Sequence, residues 1–275
     1  MKRIIIVTGA SSGLGREFSL QLTRMRQADE IWLLARRKDK LEQLALEVNG
    51  IRKNQAHDRA SSPEAKVIEI DLAGETGISF FIDLLKKEKA LCGETGLTID
   101  TLVNNAGFGT YGTFRETDIE RQLEMIDLNV SALTGLCYAA LPYMKTGSLI
   151  INVASLASFI PLGNFAVYGA TKAYVLSFST ALSAELADSG IFVSTVCPGP
   201  VDTEFANVAS NGAREKVVGG KSPAAVVAHC LRSIARGRRM AIMAPKWKFK
   251  AFMSRFVGRY AFARYTFIHE KRPSR

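Results

Sequence analysis

A chain of 275 residues, 47% of them hydrophobic, is long enough to bury one large core, and single α/β domains reach this size. The formal net charge of +10 is local: residues 236–275 carry 12 Lys and Arg against one acid, Glu270, so the remaining 24 basic and 25 acidic residues nearly cancel. Four scattered cysteines (Cys92, Cys137, Cys197, Cys230) and three histidines (His57, His229, His269) have no spacing suited to a metal or redox site, and the thiols are expected as reduced core residues of a cytoplasmic protein.

The start, Met1-Lys2-Arg3 before Ile4-Ile5-Ile6-Val7, imitates a signal peptide, but its apolar run stops at Thr8-Gly9 and no small-residue cleavage site follows. No run approaches the 18 or so apolar residues of a membrane span. Strand-length apolar runs occur at Arg3–Thr8, Glu30–Ala35, Ala65–Ile70, Thr98–Val103, Gly147–Val153, Ile191–Cys197 and Met240–Ala244. Helical patterns separate them near 13–28, 37–48, 75–90, 118–145, 168–188 and 223–235, and the polar stretch Asn49–Pro63 reads as a surface connection. Runs such as Ile4–Val7 and Leu149–Ile151 are apolar on both faces, as strands covered on both sides must be. Strict alternation predicts an α/β Rossmann-type fold, a doubly wound parallel sheet with helices on both faces. We expect one dinucleotide-binding and catalytic domain over 1–245 and a C-terminal tail over 246–275.

The first strand runs into Thr8-Gly9-Ala10-Ser11-Ser12-Gly13-Leu14-Gly15, a glycine-rich turn opening a helix. Such a turn cradles a pyrophosphate, because glycines admit the backbone and the helix start offers free amides and a positive dipole end. The spacing is G-x-x-x-G-x-G rather than the general G-x-G-x-x-G. After the second strand an acid would accept hydrogen bonds from a free ribose 2′-hydroxyl, whereas a 2′-phosphate wants arginine. The sequence reads Ala35-Arg36-Arg37-Lys38, so Arg36, assisted by Arg37 or Lys38, points to NADP(H).

Tyr168 and Lys172 stand four residues apart on one helix face. A free tyrosine, with pKa near 10, is a poor proton donor and acceptor at neutral pH, and a nearby ammonium favours its phenolate. Y-x-x-x-K is common by chance and gains weight from its company. Ser155 closes the fifth strand, Asn104-Asn105-Ala106-Gly107 follows the fourth and Cys197-Pro198-Gly199-Pro200-Val201-Asp202-Thr203 the sixth, all where sheet ends meet a ligand crevice.

In this order the marks resemble the single-domain branch of the short-chain dehydrogenase/reductase family over residues 3 to 245. They are T-G-x-x-x-G-x-G at Thr8–Gly15, Asp71, N-N-A-G at Asn104–Gly107, Asn129, Ser155, Y-x-x-x-K at Tyr168–Lys172 and P-G-x-V-x-T at Pro198–Thr203. The resemblance implies that Tyr168 is the general acid/base and that Ser155 binds the substrate oxygen. Lys172 would hold the nicotinamide ribose and lower the Tyr168 pKa, and Asn129 would support a water leading to Lys172. It carries cofactor contacts to Gly9, Ser11, Ser12, Gly13, Leu14, Gly15, Arg36, Asp71 and Leu72, and to Asn104 on the ribose side, Ala106 and Gly107. Tyr168, Lys172, Pro198, Gly199, Val201 and Thr203 complete that set. Ala154, where a second serine is common, is a departure that touches no catalytic role. Family members are commonly homodimers or homotetramers.

Phe108, Tyr111, Leu156, Phe159, Phe165, Phe205 and Val208 suggest an apolar lining for a hydrophobic ketone or alcohol, such as a steroid, acyl or lipid-like substrate, or simply core. In the tail a helical wheel puts Phe249, Phe252, Met253, Phe256, Tyr260, Ala263 and Phe267 on one stripe, with Lys250, Arg255, Arg259 and Arg264 beside it. That stripe suits packing on its own domain or a partner subunit, an anionic membrane surface that would place the protein peripherally on the inner membrane face, or a cover over the substrate mouth. Nothing else in the chain supports nucleic-acid binding. The alternative to a reductase is a catalytically silent NADP(H) sensor or assembly subunit. A nucleotide-sugar epimerase would need a substrate domain for which there is no room.

Overall fold

The computed structural model describes residues 1–54, 63–215, 217 and 219–272. Its elements run β1 (Lys2–Thr8), α1 (Gly13–Met25), β2 (Glu30–Ala35), α2 (Lys38–Asn54), β3 (Glu64–Glu69), α3 (Gly74–Cys92), β4 (Leu97–Asn104) and α4 (Ile119–Ile126). They continue through α5 (Leu133–Ala140), β5 (Leu149–Val153), α6 (Ala166–Glu185), β6 (Phe192–Val196), α7 (Phe205–Ala209), α8 (Pro223–Ala235), β7 (Met240–Ala241), α9 (Pro245–Met253) and α10 (Arg259–His269).

The seven strands form one parallel sheet in the order β3-β2-β1-β4-β5-β6-β7. Val7 pairs with Leu33 of β2 on one side and Val103 of β4 on the other. The order reverses at β1, so the ligand crevice of a doubly wound sheet opens at the C-terminal ends of β1 and β4. Successive strand residues face opposite layers. Ile5, Val7 and Leu33 pack with Phe18 and Leu22 of α1, Leu41 and Leu44 of α2, and Val226 and Val227 of α8. Ile4, Ile6, Trp32 and Leu34 pack with Phe81 and Leu85 of α3 and Leu136 of α5. Cys137, Cys197 and Cys230 are buried free thiols and Cys92 is half-buried.

Three local readings change. Asn49 lies inside α2, which runs on to Asn54, and its side chain accepts a hydrogen bond from the Ala65 amide (3.0 Å). The rest of the expected polar connection, residues 55–62, lies outside the described residues. The predicted single helix over 118–145 is α4 and α5 joined by a π-helical turn, Asp127–Ala132. By length and mean hydropathy (1.2) the run Ile119–Tyr143 could cross a membrane, but Leu133, Leu136 and Cys137 on it are buried against the sheet. The predicted tail stripe also breaks, because residues 254–258 separate α9 from α10.

At the sheet end opposite the crevice, Glu88 is buried between Lys2 (2.5 Å) and Lys66 (2.7 Å), and Lys2 also meets Glu30 (2.6 Å). Burial pushes the Glu88 carboxyl up, but hydrogen bonds from the two ammonium groups outweigh it and hold it below the usual 4.5. Its contribution to stability is therefore complete above pH 4.5 and is lost as pH falls through the lower folded value. Glu88→Gln should cost about 1–2 kcal/mol near pH 7 and flatten the acid limb of a Tm-versus-pH curve. An acid limb identical to that of the unmodified protein would refute this role.

Candidate active site

The turn after β1 is stitched to the turn after β4. The buried Thr8 hydroxyl donates to the Val103 carbonyl (3.2 Å) and accepts from the amides of Asn105 (2.9 Å) and Ala106 (3.0 Å). Asn105 Nδ2 returns hydrogen bonds to the carbonyls of Thr8 (2.9 Å) and Gly9 (3.2 Å). Gly9 and Gly13 adopt left-handed φ of +63° and +53°, and a Cβ on Gly15 would run into the Gly9 carbonyl. Ser12 caps α1 without a side-chain hydrogen bond, which leaves the first amides of a 13-residue helix for a ligand. Across this cradle stands Thr203, whose Cγ2 would lie 3.1 Å from a Cβ on Gly13.

At the end of β2, Arg36 Nη1 lies 3.6 Å from Asp71 Oδ2 and 3.5 Å from Glu124 Oε1. Arg37 donates to the Ser11 hydroxyl (3.1 Å) and pairs with Glu204 (2.8 Å). Two exposed guanidinium groups thus flank the glycine-rich turn.

The chemistry-bearing residues meet at the ends of β4 and β5. Ser155 follows β5 and caps a short 3-10 turn, its hydroxyl accepting from the Ala157 amide (3.1 Å). It faces the Tyr168 hydroxyl, close enough to act on its pKa. Tyr168 and Lys172 occupy the first turns of α6 and are both buried, with Lys172 Nζ 5.8 Å from the Tyr168 ring centroid. Lys172 Nζ donates to the Val153 carbonyl (2.9 Å). Asn129 sits in the π-helical turn, a local widening that is frequent at functional sites. Its side chain clamps Phe108 through N–H (3.1 Å) and C=O (2.9 Å) and donates to Thr171 (3.1 Å). A Cβ on Gly107 would lie within reach of both Asn129 Oδ1 (2.6 Å) and Lys172 Nζ (3.5 Å), so the two side chains share one niche.

The family model for short chain dehydrogenases matches residues 3–213. The chain belongs to the short-chain dehydrogenase/reductase family. It is 32% identical over 220 residues to an NADP-dependent 3-hydroxy acid dehydrogenase of Schizosaccharomyces pombe, covering 78% of this chain and 77% of that one. A short-chain dehydrogenase from Sphingobium yanoikuyae, solved in complex with NADPH, is 26% identical at a TM-score of 0.75, with 92% and 93% of the two chains covered. A Burkholderia phymatum short-chain dehydrogenase solved with NAD superposes at a TM-score of 0.75 over 92% of both chains, and at 19% identity shows the fold. The protein is thus an oxidoreductase of a family that binds a nicotinamide cofactor.

Within this dehydrogenase scaffold most of the expected residues converge. Gly9, Ser11, Ser12, Gly13 and Gly15 form the cradle, and Leu14 packs from it onto the core. Asp71 is exposed, with Oδ1 accepting from the Ala73 amide (3.1 Å), while Leu72 is buried beneath it. Gly107 borders the Asn129 niche, and Ala106 lies against Gly9 of the cradle. The loop after β6 brings in Pro198, whose carbonyl accepts from the Leu156 amide (3.0 Å), Gly199, and Val201, which bridges to Lys221. The uncapped helix start, the substitution-intolerant glycines and a buried ammonium with one carbonyl partner all fit a dinucleotide.

Two expectations about side chains need correction. Asn104 does not point to a ribose: its Nδ2 donates to Asn152 Oδ1 (2.9 Å) and Cys137 Sγ (3.1 Å) inside the sheet, because β4 pairs in register with β5 there. The ammonium of Lys172 also does not make Tyr168 acidic in this structure. Burial pushes the phenol above its usual 10, opposed by the Ser155 hydroxyl, raised further by Tyr111 and opposed by Arg272. Burial in turn pulls Lys172 down to about 8.

A buried lysine with a lowered pKa is a stability cost, present in full below pH 8 and gone above 10.5. Lys172→Met should therefore stabilise the cofactor-free protein by roughly 1–2 kcal/mol at pH 7, after allowing for the lost bond to Val153, while abolishing activity. A lowered Tm would contradict that account.

Phe108, Phe165 and Tyr168 share one apolar cluster, with Tyr111 and Phe205 packed against it. Phe159 instead packs with Val175 and Val193 of the core, and Val208 is exposed. Beyond Tyr111 opens a cavity of about 740 Å³, bordered by Thr110, Arg121, Asn164, Phe267 and Arg272. Two contacts bring the tail onto its own domain beside the site, one of the placements expected for it. Trp247 lies against Gly199, and Arg272 sits over the Phe165 ring at 5.2 Å.

Proposed function

We propose that the protein is an NADP(H)-dependent oxidoreductase that interconverts a ketone and a secondary alcohol on an apolar substrate. The observation that carries this reading is the juxtaposition of Ser155 and Tyr168 beside an aromatic wall, with Lys172 one turn away. A protein that only sensed NADP(H) or served as an assembly subunit would need neither hydroxyl. When bound, the reduced nicotinamide supplies a hydride to the carbonyl carbon. Ser155 and Tyr168 hydrogen-bond the oxygen as it gains negative charge, and Tyr168 gives it a proton. Lys172 holds the nicotinamide ribose, and Asn129 keeps the niche beside it open. Phe108, Tyr111, Phe165 and Phe205 exclude water and hold the apolar groups.

Cofactor choice rests on Arg36 and Arg37, since no acid ends β2 to receive a free 2′-hydroxyl. The same proposal places the enzyme in the cytoplasm as a homodimer or homotetramer. It also gives the exposed Phe249, Phe252, Phe256 and Tyr260, with Lys250, Arg255 and Arg259, an anionic membrane surface. Salt-insensitive, tail-independent sedimentation with anionic vesicles would remove that last element.

Oxidation of NADPH across a panel of apolar ketones tests the catalytic reading. Turnover on at least one, with NADH a poor substitute, is the expected result. NADPH binding without turnover on any would favour the silent alternative.

A further inference from the structure

We propose that the segment after α10 is a working part of the active site, with Arg272 as a positioning residue that clamps Phe165 against the Tyr168 ring. This rests on the role given to Tyr168 above. The Phe165 and Tyr168 rings stack at 4.1 Å between centroids, 16° from parallel. Tyr111 meets Phe165 edge-on at 4.8 Å, and the Arg272 guanidinium lies 5.2 Å from the same ring. A cation on an aromatic face is attracted to it, more strongly where water is excluded, and the Arg272 side chain is only 16% exposed.

The segment is fastened to the loop that carries Phe165. The Gly163 amide donates to Thr266 Oγ1 (2.9 Å), and Asn164 Nδ2 donates to the carbonyls of Phe267 (3.0 Å) and Glu270 (3.3 Å). Arg272 Nη1 donates to the Gly163 carbonyl (3.1 Å), and Arg214 Nη2 donates to the Lys271 carbonyl (2.9 Å). Gly163 has no room for a Cβ, because Phe267 lies directly on it. Glu270 Oε2 holds the other side of the guanidinium at 2.9 Å. Thr266 and Arg272 thus fix the loop backbone from two sides, and the stack fixes the ring that carries the reacting hydroxyl.

The charge matters as well as the grip. The groups that face Tyr168 are the Ser155 hydroxyl, Tyr111, Lys172 on its own helix and Arg272; those that face Arg272 are Glu270, Tyr111, Arg214 and Tyr168. Burial pushes the phenol up, and Arg272 is the cation that opposes it. Removing that charge raises the pKa of Tyr168, so a reaction that needs the phenolate, alcohol oxidation, moves to higher pH.

The test compares the full-length protein with Arg272→Gln and Arg272→Lys, using NADP⁺ and an apolar secondary alcohol such as 1-phenylethanol. Arg272→Gln should lower kcat roughly 10-fold and move the basic-limb pKa of oxidation up by roughly 0.5–1 unit, with the Kd for NADPH unchanged. Arg272→Lys, which keeps the charge, should return the pH profile. Hydrogen exchange of the segment 159–168 should quicken in Arg272→Gln whether or not a substrate is found. Unchanged exchange overturns the clamp, as does faster exchange with unaltered kinetics. A fall in kcat with no pH shift and no rescue by lysine marks general damage and also overturns it. Absence of turnover in the unmodified protein counts against the proposed apolar ketone–alcohol reaction instead, and exchange alone then decides the clamp.

Discussion

Tyr168→Phe is expected to reduce ketone reduction by about 10²–10⁴-fold, the range lost with a positioned general acid. The substitution removes one oxygen from a ring that stays stacked on Phe165 with Phe205 tilted against it, so the fold and the cofactor cradle are left as they are. Steady-state turnover at saturating NADPH, with fluorescence titration of NADPH binding beside it, separates chemistry from binding. Undiminished turnover would show that the proton comes from elsewhere. The buried setting of Tyr168 also sets a direction for pH. Burial holds the phenol above its usual 10 and therefore protonated at neutral pH. That suits donation to a nascent alkoxide better than abstraction from an alcohol, so reduction should be the faster direction near pH 7.

Arg36→Ala should lower the NADPH-to-NADH ratio of kcat/KM by 10-fold or more, the loss of a charge-assisted contact of about 1.5–3 kcal/mol. Asp71 and Glu124 flank this arginine at the end of β2. They compete with a 2′-phosphate, which limits how tightly any one arginine can bind it. Arg37 is tied to Ser11 of the cradle and to Glu204. Arg37→Ala should therefore weaken NADPH as well, and the double variant should accept both cofactors about equally. An unchanged ratio in Arg36→Ala would overturn the assignment.

The parallel sheet was legible because strands buried on both faces are contiguous apolar runs, and β1 and β2 fall within a residue of expectation. Helix α2 ran past its expected end because Asn49-Gly50 reads as a turn in the sequence, whereas Ile51 continues the core-facing stripe of Leu41, Leu44 and Val48 by one more turn. Asn129 was located by motif, but the π-helical turn that aims it was not, since periodicity over 118–145 averages across one extra residue. The wheel drawn through Phe249 and Phe267 assumed an unbroken helix, whereas Gly258 and its neighbours interrupt it. Asn104 misled because its place at a strand end says nothing of whether its side chain points to the crevice or into the sheet. Arg272 was out of reach for a different reason. Its partners, Gly163 and Phe165, lie more than a hundred positions away, and only tertiary structure brings them together.

The place of β1 at the middle of the sheet also bears on how the molecule comes to be made. Ile4–Val7 is made before either of its partner strands, and one of its edges stays bare until Ile99–Val103 has been synthesised. Such a waiting edge is sticky, and closing so long a loop is slow. The nascent polypeptide is therefore exposed to self-association over that interval, and a chaperone that masked Ile4–Ile6 would raise the yield of native enzyme.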